Sequence, residues 1–154
     1  MKTLFLLIFL GLGGNIFVPA HAKSKPRGGQ NYYVDAQNGD DRADGKSEKT
    51  AWKSLLRTKE LQLRAGDSLL LRRNSSFNGL LEVSAEGKAG RPVVIGAYGT
   101  GRKPCIQAPD SSLYTVLVRN SDYLTLENLE VVNTGKQRMA NRTGVKVLCE
   151  DYGV

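Results

Sequence analysis

The sequence predicts an all-β fold in which short parallel strands wind into a coil, and three observations support this prediction. Apolar runs recur at 93–95, 115–118 and 144–147, and an alternating segment covers 123–133. No helical period separates these runs, which argues against a doubly wound α/β sheet. Asparagines stand between the runs, where they tolerate left-handed backbone. This pattern is typical of a solenoid, in which each rung buries its inner face on the next.

Strand alternation assigns an inner and an outer face to each rung, because successive side chains of a strand point to opposite faces. The predicted inward residues are all aliphatic and are Val93, Ile95, Val116, Val118, Leu124, Leu126, Leu129, Val131, Val145 and Val147. The predicted outward residues are Thr125, Glu127, Glu130 and Lys146. The asparagines at the expected corners are Asn120, Asn128 and Asn133.

Residues 1–22 are predicted to be a secretory signal peptide. Lys2 supplies the positive start, residues 4–10 are wholly apolar, and Ala20-His21-Ala22 fits the small-residue rule for cleavage. The apolar core is too short to serve as a membrane anchor. We therefore expect a secreted or periplasmic protein that is not bound to a membrane after cleavage.

Two further segments precede the strands. Residues 23–30 are basic and rich in Gly, Pro and Ser, which predicts a flexible lead-in. Residues 51–61 place Trp52 and Leu55 at helical spacing, with basic residues opposite, after the candidate caps Ser47 and Thr50. This predicts an amphipathic helix that can cover the first rung.

Composition excludes several kinds of chemistry. The one histidine, His21, lies in the predicted leader, so Ser-His-Asp catalysis and histidine metal ligands are excluded from the remainder of this chain. The two cysteines, Cys105 and Cys149, fall at different places in the strand pattern, and two separate buried thiols are preferred to a disulfide.

The formal net charge of +7, which becomes +6 once Lys2 is removed with the predicted leader, favours acidic polysaccharide as a partner through nonspecific attraction. The alternative for most of these charges is a plain solvated surface. Nucleic acid is not expected, because the aromatic residues do not interleave with the basic ones and the chain is predicted to be exported.

Several motifs resemble those of a known superfamily. They are YYVD at 32–35, GDD at 39–41, DGKS at 44–47, AWKSL at 51–55, RAGDSLLL at 64–71, GRPVVIGAYG at 90–99 and NSDYLTLENL at 120–129. Together they look like the N-terminal part of secreted right-handed parallel β-helix proteins of the pectate-lyase-like superfamily. The match covers nearly all of the chain after the leader. It concerns turns, the cap and inward strand positions, so it is specific for fold rather than for activity.

The resemblance implies that residues 31–154 are the N-terminal part of a right-handed parallel β-helix, incomplete here with about three rungs, behind an amphipathic capping helix. Superfamily members are commonly polysaccharide lyases or glycoside hydrolases. The resemblance implies that their active sites lie on outward strand faces of central rungs, which would come after Val154. No catalytic, cofactor-binding or metal-binding residue is therefore carried over, and calcium enters only as a family cofactor without a clear site.

The acidic loop of Asp40, Asp41 and Asp44 is the candidate calcium site. Arg42 breaks the EF-hand ligand spacing, and no bidentate glutamate follows at the required place. The alternative is a solvated turn held by Asx hydrogen bonds, which these residue types favour.

Two kinds of glycan chemistry have candidate residues. β-Elimination needs a cation and a base, which Lys146 with Glu127 or Glu130 could supply, although outward positions of any solvated sheet carry such residues. Glycoside hydrolysis needs two carboxylates, and Glu127, Glu130, Glu150 and Asp151 show no recognisable arrangement.

We therefore expect an exported polysaccharide-processing protein of lyase or hydrolase type, truncated and inactive as this chain. It would be a monomer if folded, and prone to aggregate through the open edge of its last rung. The alternatives are a non-catalytic glycan-binding or surface-structural β-helix, and a fragment without retained function.

Overall fold

A computed structural model describes residues 28–150 of the chain. The predicted signal peptide, the lead-in up to residue 27 and Asp151 lie outside the described residues. No helix in the described part is long and apolar enough to cross a membrane.

The described residues are almost entirely strands and turns. The strands are β1 (Asn31–Val34), β2 (Gln62–Arg64), β3 (Ser68–Arg72), β4 (Ser76–Asn78), β5 (Leu81–Glu86), β6 (Val93–Tyr98), β7 (Cys105–Gln107), β8 (Tyr114–Asp122), β9 (Leu124–Leu126), β10 (Glu130–Val132) and β11 (Thr143–Leu148). Two short 3₁₀ helices, Glu48–Thr50 and Leu55–Glu60, precede β2.

The strands form three sheets in which every pairing between named strands is parallel. The first sheet has the order β1-β3-β6-β9, the second β4-β7-β10 and the third β2-β5-β8-β11. From β3 onward the chain visits the first, second and third sheets in turn and then repeats this order twice. The predicted coil of parallel strands is therefore confirmed.

The core consists of aliphatic side chains stacked in register from one rung to the next. In the first sheet Leu69 lies beside Ile95, and Ile95 lies beside Leu126. The corresponding stacks are Phe77, Ile106 and Val131 in the second sheet and Val83, Val118 and Val147 in the third. Val93, Ile95, Val116 and Val118 are at most 4% exposed, which confirms their predicted inward positions.

The last rung is covered on one side only. Strands β9, β10 and β11 each end the order of their sheet. Val145 and Val147 face the same way as Val116 and Val118, with which they are in register, yet they are 43% and 63% exposed. The predicted open edge is therefore present at this end of the described residues, and it carries apolar side chains.

The single amphipathic helix predicted over 51–61 is not confirmed, because only Leu55–Glu60 is helical within that span, as a 3₁₀ helix. Ser47 and Ser54 cap two separate 3₁₀ helices, and Ala51 between them has an extended ψ of 144°. The carboxylate of Asp41 accepts hydrogen bonds from the backbone N–H groups of Lys53 and Ser54, both at 2.8 Å. A continuous helix is prevented at Trp52, whose N–H donates to the carbonyl of Tyr33 at 2.9 Å and whose carbonyl accepts from the N–H of Asp35 at 2.7 Å, as in a strand beside β1.

Trp52 covers the first rung, which is the role predicted for the amphipathic helix. It forms a parallel bridge to Val34 on β1, and its ring stacks on Tyr32 with centroids 5.7 Å apart. The indole N–H donates to the carbonyl of Ala43 at 2.9 Å, so the buried polar atom is satisfied. The edge of β1 is thus closed by one extended residue.

The corners between strands use asparagine, as predicted for two of three positions. Asn120 and Asn128 have φ values of 39° and 56°, in the left-handed region that asparagine tolerates. Asn133 is different, because it has no positive φ and its side-chain amide instead donates to the carbonyl of Thr143 at 2.8 Å.

The inward stacks predict that truncating an aliphatic side chain lowers the free energy of unfolding much more in a middle rung than in the last rung. Ile95→Ala should lower the free energy of unfolding by about 2–5 kcal/mol, because it leaves a cavity between Leu69 and Leu126. Val147→Ala, the matched control on the exposed edge, should cost less than about 1 kcal/mol. Urea titration followed by the fluorescence of Trp52 measures both, and equal losses would contradict the assigned register.

Candidate functional site

The corner between the first and second sheets is built by two stacked turns. In one rung the chain leaves β3 at Arg72 and enters β4 at Ser76. In the next rung it leaves β6 at Tyr98 and enters β7 at Cys105. Because both strand pairs are in parallel register, the second turn lies directly on the first.

Asn74 joins the two turns. Its φ of 61° reverses the chain direction. Its side-chain oxygen accepts from the backbone N–H of Arg102 at 2.9 Å, and its amide donates to the carbonyl of Thr100 at 3.1 Å. Gly101 completes the contact, since a Cβ there would overlap the Asn74 amide. The turns are therefore fixed to each other by side-chain and backbone contacts.

Two adjoining cavities open along this corner and share Asn74 as a common wall. The upper cavity, about 300 Å³, is lined by Gln37, Glu48, Arg72, Arg73, Asn74, Tyr98, Gly99 and Thr100. The lower cavity, about 200 Å³, is lined by Asn74, Ser75, Ser76, Arg102, Lys103, Cys105 and Glu130. We call the two together the polar groove.

The upper cavity contains an ion pair. Arg72 lies 3.3 Å from the carboxylate of Asp35, which is 2% exposed. Burial raises the pKa of Asp35, but hydrogen bonds from Gln37 and Asn38 and the charge of Arg72 outweigh it, so the pKa lies below its ordinary value. Asp35 is therefore ionised at neutral pH and neutralises Arg72.

Each cavity also has a buried hydroxyl in its wall. Ser75 is 2% exposed and its hydroxyl has no hydrogen-bond partner among residues 28–150, whereas the hydroxyl of Tyr98, which is 8% exposed, interacts with Arg72. Burial and then the charge of Asp35 raise the pKa of Tyr98, while Arg72 acts in the opposite direction. Buried polar groups are nearly always paired, so the unpaired Ser75 hydroxyl is a candidate to bind a group that enters the groove.

The lower cavity places a thiol beside a carboxylate. Cys105 and Glu130 are aligned on neighbouring strands of the second sheet, together with Ser76. Burial, and after it the negative charge of Glu130, raises the pKa of the Cys105 thiol. Cys105 and Cys149 are both free thiols, but Cys105 is half-buried and Cys149 is exposed, so the prediction that both are buried is wrong.

The structure separates the residues that the sequence proposed for β-elimination. Glu130 lies in the polar groove on the second sheet, whereas Lys146 lies on β11 of the third sheet with its ammonium over the ring of Tyr114 at 6.0 Å. Glu127 follows β9 and lies against Gly96. Lys146 therefore shares no sheet face with either glutamate.

The remaining carboxylates are also dispersed. Glu150 pairs with Arg119 at 3.0 Å on the third sheet, and Asp151 lies outside the described residues. Both side chains of this ion pair are substantially exposed, so the pair contributes little to stability. The structure does not bring Glu150 to the polar groove.

The acidic loop is a set of turns. Asp40 and Asp44 accept hydrogen bonds from the backbone N–H groups two residues onward, at 2.9 and 3.1 Å, and Asp41 binds Lys53 and Ser54 as described above. Within the described part of the chain, no group of three acidic or sulfur side chains is arranged to hold a metal ion. Asx turns account for Asp40 and Asp44, whereas Asp41 joins the loop to residues 53–54.

Sequence reasoning missed the polar groove apart from Glu130. Its residues are far apart in the chain, since Asn74 and Arg102, which are in contact, are separated by 28 positions and Glu130 lies on β10. The doublet Arg72-Arg73 and the later Arg102-Lys103 are visible as basic pairs in the sequence. Only the register of β3 with β6 shows that they meet.

The environment of Cys105 predicts slow alkylation at neutral pH. Because burial and Glu130 both disfavour the thiolate, the midpoint of iodoacetamide reaction against pH should exceed about 8.5, the ordinary thiol value. Glu130→Gln should move the midpoint down, and Glu127→Gln, away from the groove, should leave it unchanged. Peptide mass spectrometry distinguishes Cys105 from Cys149, and a midpoint at or below the ordinary value would refute this environment.

The chain is similar to known proteins in both sequence and structure. No protein-family model matches the chain. A lacto-N-biosidase of Bifidobacterium longum subsp. longum is 32% identical over a region that covers 68% of this chain and 8% of that protein. The native crystal structure of GH136 lacto-N-biosidase from Eubacterium ramulus matches with a TM-score of 0.67 and 32% identity, over 77% of this chain and 26% of that one.

The selenomethionine form of the Eubacterium ramulus protein matches with a TM-score of 0.63 and 29% identity, over 78% of this chain and 26% of that one. The chain thus spans about a quarter of the solved structures that it matches and a smaller share of the Bifidobacterium protein. In sequence and in fold, most of this chain is similar to glycoside hydrolases of the lacto-N-biosidase type.

Proposed function

We propose that this chain is part of an exported, glycoside-hydrolase-type β-helix protein that processes carbohydrate. The observation that carries the proposal is the match to GH136 lacto-N-biosidase, in which 32% identity and a TM-score of 0.67 extend over 77% of the chain. The coil is proposed to be right-handed, as nearly all parallel crossover connections are. Export is supported by the pattern of residues 1–22.

Hydrolysis is proposed rather than β-elimination. The proteins that this chain resembles in both sequence and structure are named as biosidases. A lyase of the pectate type would need a base and a cation on one face, and Lys146 is on a different sheet from Glu130. The resemblance to the pectate-lyase-like superfamily then concerns only the coil of parallel strands and not the reaction.

The chain by itself is proposed to be inactive. Hydrolysis of a glycosidic bond uses two carboxyl groups flanking the bond. In the polar groove each cavity has one carboxylate in its wall, Glu48 in the upper and Glu130 in the lower. We propose that further rungs, stacked on the exposed edges of β9, β10 and β11, supply the catalytic pair.

A chimera tests the assignment to a hydrolase scaffold. The structurally matched quarter of the Eubacterium ramulus enzyme is replaced by residues 28–150 of this chain, and release of chromophore from a chromogenic lacto-N-bioside is measured. The chimera should hydrolyse the substrate, because the matched coils are equivalent in fold. The full 154-residue chain should release none.

Two results would contradict the proposal. One is a chimera with the circular dichroism spectrum of the parent enzyme but without hydrolysis. The other is formation of unsaturated product from pectate or alginate by the isolated chain, which would indicate a lyase. The unmodified enzyme in the same assay is the positive control.

Export gives an independent prediction. Expression of the full chain in a bacterium should yield a periplasmic or secreted product whose first residue is Lys23, because cleavage follows Ala20-His21-Ala22. Intact mass and N-terminal sequencing measure this directly. Ala20→Lys, which breaks the small-residue rule, should block cleavage, and an uncleaved wild-type chain would overturn the assignment.

A non-catalytic role in glycan binding is the second candidate function. The polar groove favours it, because the groove combines two cavities, four basic side chains and the unpaired buried hydroxyl of Ser75, without a carboxylate pair in either cavity. Such a role is compatible with the first proposal if the groove holds a part of the glycan away from the reacting bond.

A further inference from the structure

We propose that the polar groove binds an acidic sugar residue of a glycan, with the anionic substituent on Arg102 and Lys103 and sugar hydroxyls on Ser75, Ser76 and Glu130. This inference rests on the carbohydrate-processing role proposed above, but it requires no catalysis by this chain. It assigns a ligand class to the polar groove, in which neither cavity is lined by a pair of carboxylates.

The Ser75 hydroxyl is the first indication of a ligand. It is in the wall of the lower cavity, it is almost fully buried, and it has no partner among the described residues. A desolvated hydroxyl without a partner destabilises the folded state, so a protein gains stability by removing it unless the hydroxyl binds something. Ser75 is held in place because its carbonyl accepts from the N–H of Cys105 at 3.0 Å.

The charge of the lower cavity is the second indication. Arg102 and Lys103 are exposed and form no ion pair within residues 28–150, whereas Arg72 in the upper cavity is neutralised by Asp35. The backbone of Arg102 is fixed on both sides, since its N–H donates to Asn74 and its carbonyl accepts from the Asn74 N–H at 3.0 Å. Two adjacent unpaired cations on a fixed turn favour a carboxylate or a sulfate.

The carboxylate of Glu130 favours an acidic sugar over a simple anion as the ligand of the lower cavity. A bare phosphate or sulfate ion that met Arg102 and Lys103 would also meet the negative charge of Glu130 in the same cavity. A sugar residue presents hydroxyl donors on one side and its anionic group on the other. The mixed lining of the lower cavity therefore suits a ligand that carries both.

The upper cavity extends the site in one direction. It adjoins the lower cavity at Asn74 and adds the buried Tyr98 hydroxyl and the exposed Gln37 amide. Two polar cavities in line fit two successive residues of a chain, so an oligosaccharide should bind better than a monosaccharide.

Thiol protection tests the proposal with a control inside the molecule. The full 154-residue chain is alkylated at alkaline pH with and without trigalacturonate, and separately with a heparin-derived tetrasaccharide. Either oligosaccharide should slow the alkylation of Cys105 at least fivefold and leave Cys149 unchanged, because only Cys105 lines the groove. Methyl-esterified trigalacturonate should protect at least fivefold less well. Protection by the carboxylated probe alone, or by the sulfated probe alone, identifies which anionic group is taken.

A charge-matched pair of variants separates the groove from general attraction to a basic protein. Arg102→Gln with Lys103→Gln should abolish protection. Lys88→Gln with Arg138→Gln removes one lysine and one arginine that line neither cavity, and should preserve protection. Equal loss in both double variants, or no protection of Cys105 by either oligosaccharide, overturns the proposal.

Ser75→Ala distinguishes a binding hydroxyl from a structural one. It should raise the unfolding midpoint in urea, because an unpaired buried hydroxyl is removed, and weaken protection of Cys105 at least threefold. A more stable variant with unchanged protection would refute the role of Ser75. Absence of protection of Cys105 in the unmodified chain, together with a chimera that hydrolyses the lacto-N-bioside, would show failure of the binding site without failure of the proposed function.

Discussion

The structure depends on in-register stacking of inward aliphatic side chains between parallel strands. Ile95 contacts the rung before it and the rung after it, and the same relation repeats for Ile106 and Val118 in the other two sheets. A slip of one residue in any strand would turn its aliphatic side chains to the outside. The register of one rung is therefore imposed on the next, and every surface feature follows from it.

The polar groove is such a consequence. Because β3 pairs with β6 and β4 with β7, the two turns between them must lie one above the other. Polar side chains that are far apart in the chain are brought to one corner without any packing of their own. Stacking of the apolar interior thus positions a polar surface, and Asn74 adds the local hydrogen bonds that hold the two turns together.

The strands and their inner faces could be predicted from the sequence because alternation has a period of two, and an aliphatic residue at such a position has few alternatives to burial. The continuous helix did not form because Trp52 pairs with β1, with its N–H donating to the carbonyl of Tyr33 and its carbonyl accepting from the N–H of Asp35. Helical spacing of Trp52 and Leu55 could not show this contact. The groove could not be predicted because it depends on which residues of different rungs are aligned. The alternation of apolar and polar residues within one strand does not show that alignment. Glu130 was found because it stands on a readable strand; Asn74 and Arg102 stand on turns.

Asn74 also determines which expression hosts can produce this protein with an intact corner between the first and second sheets. Asn74-Ser75-Ser76 is an acceptor sequence for N-linked glycosylation in hosts that carry out this modification. The nitrogen that would receive the glycan is the one that donates to Thr100, and it faces the wall shared by both cavities. A bulky glycan there would compete with that hydrogen bond and fill the space beside it. Material from a glycosylating eukaryotic host would therefore differ from bacterial material at this corner, although the two would share the same aliphatic interior.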